Sequence, residues 1–144
     1  MSEGYRIVRT EKPEWEAIGQ AITSHNRDHA GDDNAQTVCF VVQGPDEEVV
    51  GGAIGVIYWD WLSVNLMWVK GELRGRGYGR RLLTMAEDEA RARGARHAFL
   101  DTFSFQAPGF YKKHGYEVFG ELPEFPAGHQ RYFLKKDLCR SASA

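Results

Sequence analysis

Apolar residues that alternate with polar ones, or form short continuous runs, predict a series of β-strands along the chain. Val, Ile and aromatic residues dominate these segments, and Gly, Pro and Asp separate them. Gly44-Pro45-Asp46 predicts a turn, and Trp59-Asp60-Trp61 predicts a tight hairpin between two strands. The predicted strands are residues 5–9, 37–43, 49–58, 62–70, 98–102, 116–120 and 130–136.

A first helix is predicted after Thr10, which can act as its N-cap, with Pro13 in the first turn. The side chains of Trp15, Ile18 and Ile22 fall on one face of that helix. The polar stretch at residues 25–35 is expected to be a loop or a ragged second helix.

Two more helices are predicted in the second half of the chain. Residues 80–93 place Leu82, Leu83, Ala86 and Ala90 on one buried face, and Gly94 stands where a C-terminal cap belongs. Residues 107–113 form a shorter helix that ends at Gly115. Strands and helices in mixed order predict an α/β or α+β sheet with helices on its faces.

The size and composition favour a single domain. The chain has 144 residues, of which 42% are hydrophobic and 26% charged, which suits one core. We assign residues 1–140 to this domain and expect residues 141–144 to be a frayed tail.

Several functional classes are excluded by what the chain lacks. No apolar stretch approaches the roughly 20 residues of a membrane span, and the N-terminus has no secretory pattern, so we expect a cytoplasmic protein. Two cysteines, Cys39 and Cys139, form neither a disulfide framework nor a metal cluster, and we predict no metal. Duplex nucleic acid would require a broader basic surface.

Charge is unevenly distributed along the chain. Residues 28–69 contain seven carboxylates and no Lys or Arg, whereas residues 70–96 contain eight Lys or Arg against four Asp or Glu. Chance clustering on solvated faces would account for this pattern. The alternative is a segment that accepts cationic partners followed by one that binds an anion.

The anion-binding candidate is the segment RGRGYGRRLL at residues 74–83, which leaves an apolar strand and enters an amphipathic helix. Glycines let successive backbone N–H groups surround an anion, and the helix N-terminus adds partial positive charge. A nucleotide triphosphatase loop is excluded because no Gly-Lys-Ser/Thr follows. A dinucleotide-binding fingerprint also fits poorly, because the third glycine falls one position early.

The pattern Arg74-x-x-Gly77-x-Gly79 after a strand resembles the acyl-CoA pyrophosphate loop of the GNAT N-acetyltransferases. A second segment, SFQAPGFYKKHGY at residues 104–116, is similar to the family's Asn-x-x-Ala-x-x-Leu-Tyr-x-Lys-x-Gly-Phe pattern. Together the two motifs cover about residues 62–120. The resemblance implies a mixed, mostly antiparallel sheet with a splayed parallel central pair and helices on both faces.

The resemblance also implies acetyl-CoA as the acyl donor and assigns residues to it. The backbone of Met67, Trp68 and Val69 would hydrogen-bond the pantetheine arm, and the glycine-rich loop would hold the pyrophosphate. Ser104 stands where the family often has Asn, and its shorter side chain alters that contact. The implied cofactor-binding residues are Met67, Trp68, Val69, Arg74, Gly75, Arg76, Gly77, Tyr78, Gly79, Arg80, Ser104 and Phe110.

Tyr111 matches the family tyrosine that commonly protonates the departing CoA thiolate. A phenol with a pKa of about 10 can donate to a thiolate whose conjugate acid has a pKa of about 8.5 in a suitably shaped site. The alternative is a tyrosine that only packs beside Phe110.

A general base is not evident on the splayed strand, where many relatives carry a Glu and this chain has LSVNL at residues 62–66. A base is needed because a lysine-like amine at pH 7 is neutral to only about one part in 2,500, a deficit of about 4.6 kcal/mol. The candidates are Asp60, His129 and His25, each of which could instead be an ordinary turn or surface residue. Trp59 and Trp61 flank Asp60 and could hold a cation; with His25 they are the candidate substrate-binding residues.

We therefore expect an N-acetyltransferase that moves an acetyl group to a primary amine by direct attack in a ternary complex. The acidic segment favours a small cationic acceptor. Alternatives are acetylation of a protein lysine or N-terminus, or a CoA-binding sensor without turnover. The resemblance also implies that two copies can pair as a homodimer through their C-terminal strands.

Overall fold

The computed structural model describes residues 4–139 of the chain. The chain divides into two compact units, Met1–Asp33 and Asn34–Ala144, which are described separately. The predicted frayed tail at residues 141–144 lies outside the described residues. Within residues 4–139, no helix combines the length and the apolar character that a membrane crossing requires.

The first unit contains one helix, α1, which spans Trp15–Ala30. It continues through residues 25–30, so most of the polar stretch predicted as a loop or second helix is the end of this helix. It ends where Gly31 adopts a φ of +83°. Thr10 is not its N-cap, because the helix begins later and the Thr10 hydroxyl instead donates to the Lys12 carbonyl (3.0 Å).

The predicted strand at residues 5–9 is wrong, because these residues have no regular secondary structure. Alternating apolar and polar residues form a strand only where a neighbouring strand completes their backbone hydrogen bonds. The described part of the first unit, residues 4–33, contains no other strand that could do so.

The second unit is built on a six-stranded sheet. The other six predicted strands are all present, with ends shifted by at most three residues. They are β1 Gln36–Gln43, β2 Val49–Tyr58, β3 Trp61–Val69, β4 His97–Phe103, β5 Glu117–Pro123 and β6 Gln130–Asp137.

The strand order is β1-β2-β3-β4-β6-β5, and every neighbouring pair except β3 and β4 is antiparallel. The mixed, mostly antiparallel sheet with one central parallel pair is therefore confirmed. The predicted hairpin between β2 and β3 is also present. Trp59 and Asp60 form it with φ angles of +43° and +66°, the combination that a type I′ turn requires.

The parallel strands β3 and β4 separate halfway along their length. Their pairing runs from Trp61 opposite His97 to Val64 opposite Leu100 and then stops. On the other side of β3, Ile54 pairs with Leu66 and Gly55 with Val64, so Asn65 is an extra, bulged residue. A bulge bends its strand, and here it bends β3 where the two strands part.

Two helices of this unit pack on one face of the sheet. Helix α2 spans Tyr78–Ala92 and contacts β1, β2 and β3, and helix α3 spans Pro108–Lys113. Both helices contribute to one core, in which Leu62, Leu83 and Leu134 are fully buried. A 3-10 turn, Gly71–Leu73, and a short loop connect β3 to α2.

Candidate functional site

The opening between β3 and β4 is the centre of the candidate site. Met67, Trp68 and Val69 lie on β3 beyond its last pair with β4, so their backbone groups on that side lie outside the β3–β4 ladder. Trp68 is 52% exposed. The Val69 carbonyl accepts a hydrogen bond from Nε of Arg74 (3.0 Å), which ties the start of the glycine-rich loop to the end of the strand.

The N-terminus of α2 follows the end of β3 through the glycine-rich loop and carries free backbone donors. Gly75 and Gly77 have φ angles of +81° and +85°, and the space where a Cβ would stand is open at both. The first helical hydrogen bond runs from the Arg81 N–H to the Gly77 carbonyl (3.1 Å). The N–H groups at residues 78–80 thus have no partner within the helix, and no described side chain caps them.

These free donors and the neighbouring arginines make the α2 N-terminus suited to an anion such as a pyrophosphate. The helix dipole favours negative charge at this end. The exposed side chains of Arg74, Arg76 and Arg80 add full positive charges beside it. The loop therefore has the donor set and the open space that a phosphate group requires.

Helix α3 packs against the first turn of α2. A Cβ on Gly79 would lie 3.4 Å from Cζ of the Phe110 ring, so the missing side chain allows this close approach. The Phe110 ring also contacts Tyr111 edge-on, with 5.2 Å between ring centroids. This packing brings Phe110, a predicted cofactor residue, next to the glycine-rich loop.

Tyr111 is buried in the core with its hydroxyl left available. Its side chain is only 8% exposed, and its ring packs against Phe110 and Tyr116. No described residue hydrogen-bonds its hydroxyl, yet no fully buried side-chain oxygen in residues 4–139 lacks a partner. The hydroxyl oxygen must therefore reach the edge of the core. Burial, together with the charge of Asp101, raises the pKa of Tyr111 above its ordinary value.

Ser104 and His129 come together at the end of β4. The Ser104 hydroxyl accepts from the Gln130 N–H (3.1 Å) and lies 3.5 Å from Nδ1 of His129. The His129 ring meets Phe105 edge-on at 5.0 Å, and its side chain is exposed. Ser104, a predicted cofactor residue, and His129, a predicted base, thus lie at the same end of the sheet as the opening.

Asp60, Trp59 and Trp61 lie at the opposite end of β3. Eight residue steps of about 3.3 Å separate Trp61 from Val69, a distance of about 26 Å. The Asp60 carbonyl accepts from the Arg96 N–H (2.8 Å), and Trp61 stacks on His97 with 4.6 Å between centroids. The structure does not bring these three residues together with the predicted cofactor residues.

His25 belongs to the first unit, on α1. Its ring stacks on that of His29 at 4.2 Å, and its carbonyl lies 2.8 Å from Nδ1 of His29. Residues spaced i, i+4 lie on the same face of a helix, which explains why these two histidine rings meet.

Asp101 is a charged residue beside the opening that the sequence patterns did not single out. It follows Leu100, the last residue of β4 that pairs with β3, and therefore stands where the two strands part. Its Oδ2 accepts from Nε of Arg131 on β6 (2.7 Å). The available signal was a single carboxylate in the otherwise uncharged segment AFLDTF at residues 98–103.

Comparison with known proteins identifies the family. The sequence model described as "Acetyltransferase (GNAT) family" matches residues 3–116, most of the chain. The chain belongs to the GNAT family of acetyltransferases. It is an acyltransferase with acetyl-CoA as its acyl donor.

This GNAT chain is similar in sequence to individual acetyltransferases and similar in fold to solved acetyltransferase structures. A blasticidin-S acetyltransferase of Streptomyces morookaense is 41% identical over 96 residues, which are 66% of this chain and 71% of that protein. A streptothricin acetyltransferase of Streptomyces lavendulae is 34% identical over 102 residues, 67% of this chain and 53% of that protein. The crystal structure of a Bacillus cereus acetyltransferase superposes with a TM-score of 0.86 at 34% identity, covering 92% of this chain and 97% of the other.

Proposed function

We propose that this GNAT chain transfers the acetyl group of acetyl-CoA to a primary amine of a small cationic molecule by direct attack in a ternary complex. The observation that carries the proposal is the arrangement at one end of the sheet. There the opening between β3 and β4 is followed by the free N–H groups of α2, and Phe110, whose ring contacts Tyr111, packs against Gly79 of α2. A cofactor and an acceptor can meet at such an opening.

The residues present fit acetyl-CoA. The N-terminus of α2 and the glycine-rich loop would hold the pyrophosphate, because their donors are unpaired and the glycine positions are open. The free backbone edge of β3, which runs from the point of separation to residues 67–69, would hydrogen-bond the pantetheine arm and polarise the thioester carbonyl. When bound, acetyl-CoA supplies the activated acetyl group.

Tyr111 would donate the proton that the departing thiolate needs. Because its pKa is raised, the phenol stays protonated throughout the neutral and mildly alkaline range. Its ring is fixed by aromatic neighbours, so the hydroxyl does not have to be ordered at the moment of reaction.

The preference for a small cationic amine rests on two supports. Two relatives bear the names of small amine antibiotics, blasticidin S and streptothricin. In the second unit, Asp46, Glu47 and Glu48 lie in the turn before β2, whose Gly51 pairs with Val69 at the C-terminal end of β3. A negatively charged surface raises the local concentration of a cationic acceptor.

The amine must lose a proton before it attacks. His129 remains a candidate base in the proposal, because it lies beside Ser104 at the end of the sheet where β3 and β4 separate. The proposal does not use Asp60, since five residue steps of about 3.3 Å place it roughly 16 Å from Asn65, where β3 and β4 separate and the acceptor would bind.

The test is thiol release from acetyl-CoA with a panel of acceptors at pH 7 and pH 8.5. The panel contains spermidine, blasticidin S, streptothricin, an aminoglycoside, and peptides with a free lysine or N-terminus. Rapid turnover of one small cationic amine is expected. Turnover of peptides alone would refute the substrate class, and tight acetyl-CoA binding without turnover of any acceptor would favour a sensor.

A further inference from the structure

The point at which β3 and β4 separate is flanked by two polar residues. If the register of the parallel pair continued past Val64 and Leu100, Asn65 and Asp101 would be the next pair. Instead the strands diverge there. Asn65 is the bulged residue of β3, and its Oδ1 accepts from the Ser63 hydroxyl (2.5 Å).

Asp101 is the negatively charged group at this point. Beyond the last pair, β3 carries NLMWV and β4 carries DTF, so Asp101 is the one carboxylate on either strand. Its side chain is 35% exposed. A ligand that enters the opening between the strands therefore meets a carboxylate on the β4 side and neutral groups on the β3 side.

One oxygen of Asp101 remains available to a ligand. Oδ2 accepts from Arg131, but no described residue donates a hydrogen bond to Oδ1. A carboxylate has about four lone-pair sites, so a second donor can bind without displacing the arginine.

The arginine that holds Asp101 is itself fixed by aromatic rings. The Arg131 guanidinium lies 5.6, 5.2 and 5.1 Å from the ring centroids of Phe103, Phe125 and Phe133. Such cation–π contacts hold the guanidinium, and through it the carboxylate, in one orientation.

Asp101 also lies within electrostatic range of the candidate acid. Its negative charge contributes to the raised pKa of Tyr111, so carboxylate and phenol sense one another across the site.

We propose that Asp101 binds the ammonium group of the acceptor at the point where β3 and β4 separate and orients its nitrogen toward the thioester. This inference rests on the proposed function and deepens it, because it names the residue that selects a cationic amine. After the amine loses a proton to water, a remaining N–H still donates to the carboxylate and keeps the nitrogen in place. Arg131 acts as a positioning residue for Asp101.

The experiment compares wild type, Asp101→Asn, Asp101→Glu and Asp88→Asn with the most active cationic amine of the panel, spermidine or blasticidin S. Asp88 is the matched control, because it is also paired with an arginine, Arg91 (3.0 Å), but lies on α2 and is 65% exposed. Steady-state kinetics give kcat and the KM of each substrate, and urea unfolding reports stability.

Asp101→Asn is expected to lower kcat/KM for the amine about 10- to 100-fold, mostly through the KM of the amine, because a charge-assisted hydrogen bond is lost. The KM of acetyl-CoA should stay within twofold of wild type. Asp101→Glu should restore most of the affinity for the amine because it keeps the charge. Asp88→Asn should behave as wild type.

Equal kinetics of Asp101→Asn and wild type would overturn the inference and leave the proposed function intact. A loss that Asp101→Glu does not relieve, or that raises the KM of acetyl-CoA equally, would also overturn it, since it would indicate a structural role. A wild-type chain inactive on every amine would refute the proposed function, and the inference with it.

Discussion

Individual residues of this GNAT chain combine tight packing with one free polar atom. Tyr111 packs between two aromatic rings, and its hydroxyl has no protein partner among residues 4–139. Asp101 uses one oxygen on Arg131 and leaves the other available. A rigid side chain with one free donor or acceptor suits catalysis and recognition, because little ordering remains to be done on binding.

Tyr111→Phe is expected to lower kcat about 100- to 1,000-fold and leave acetyl-CoA affinity unchanged, because the ring packing survives and only the proton donor is lost.

The raised pKa of Tyr111 adds a prediction on the pH dependence of kcat. The phenol loses its proton only above its ordinary pKa of about 10, so its ionisation should cause no loss of kcat between pH 8 and pH 10.

Steady-state rates across this pH range, with acetyl-CoA binding measured by calorimetry, provide the test. A Tyr111→Phe variant with the wild-type rate would contradict the assigned role. A fall in wild-type kcat between pH 8 and 9 that disappears in Tyr111→Phe would contradict the raised pKa.

Among the elements, the loop before α2 depends on backbone conformation more than on side chains. Gly77 precedes the helix with a φ of +85°, a left-handed conformation that directs the following N–H groups outward together. Gly71, in the same connection, has ordinary backbone angles and open space around it. A substitution at Gly71 is therefore a matched control for the same substitution at Gly77.

Gly77→Ala is expected to lower the free energy of unfolding by about 1–2 kcal/mol, because a left-handed φ is strained for a residue with a Cβ. It should also weaken acetyl-CoA binding, since relief of the strain turns the N–H groups away from the pyrophosphate. Gly71→Ala should change neither quantity appreciably. Urea unfolding and calorimetric titration check both variants, and equal behaviour of the two would show that the left-handed conformation is not required.

Across the whole second unit, a buried ionic cluster joins distant parts of the chain. Glu87 of α2 is 4% exposed and accepts from the Tyr116 hydroxyl (2.8 Å) and from Nζ of Lys136 on β6 (2.9 and 3.1 Å). Burial beside this carboxylate raises the pKa of Tyr116 far above its ordinary value, so the phenol stays a neutral donor. Helix α2, the segment after α3 and strand β6 are thereby held in one arrangement.

Lys136→Met is expected to lower the free energy of unfolding by about 3–5 kcal/mol, because it leaves the Glu87 carboxylate buried without its cation. Tyr116→Phe removes one hydrogen bond to a charged group and should cost about 1.5–3 kcal/mol. Urea unfolding at pH 7 gives both values. A smaller effect of Lys136→Met than of Tyr116→Phe would contradict the importance of the ion pair.

The sequence by itself determined the family, six of the strands, α2 and α3, and the residues of the glycine-rich loop. Side-chain periodicity predicted the strands and helices, and the resemblance of two continuous motifs to the GNAT pattern identified the family and the loop. Tyr111 was predicted for the same reason, since its motif is continuous in sequence.

Only the tertiary structure decided which residues meet. Trp59, Asp60 and Trp61 looked suited to a cation, but the direction of β3 places them about 26 Å from Val69. Residues 5–9 alternate as a strand does and yet have no strand partner among residues 4–33. Asp101 lies where β3 and β4 separate, opposite the bulge at Asn65, a position that only the strand register reveals. Strand pairing and register join residues far apart in sequence, and local periodicity carries no record of such pairs.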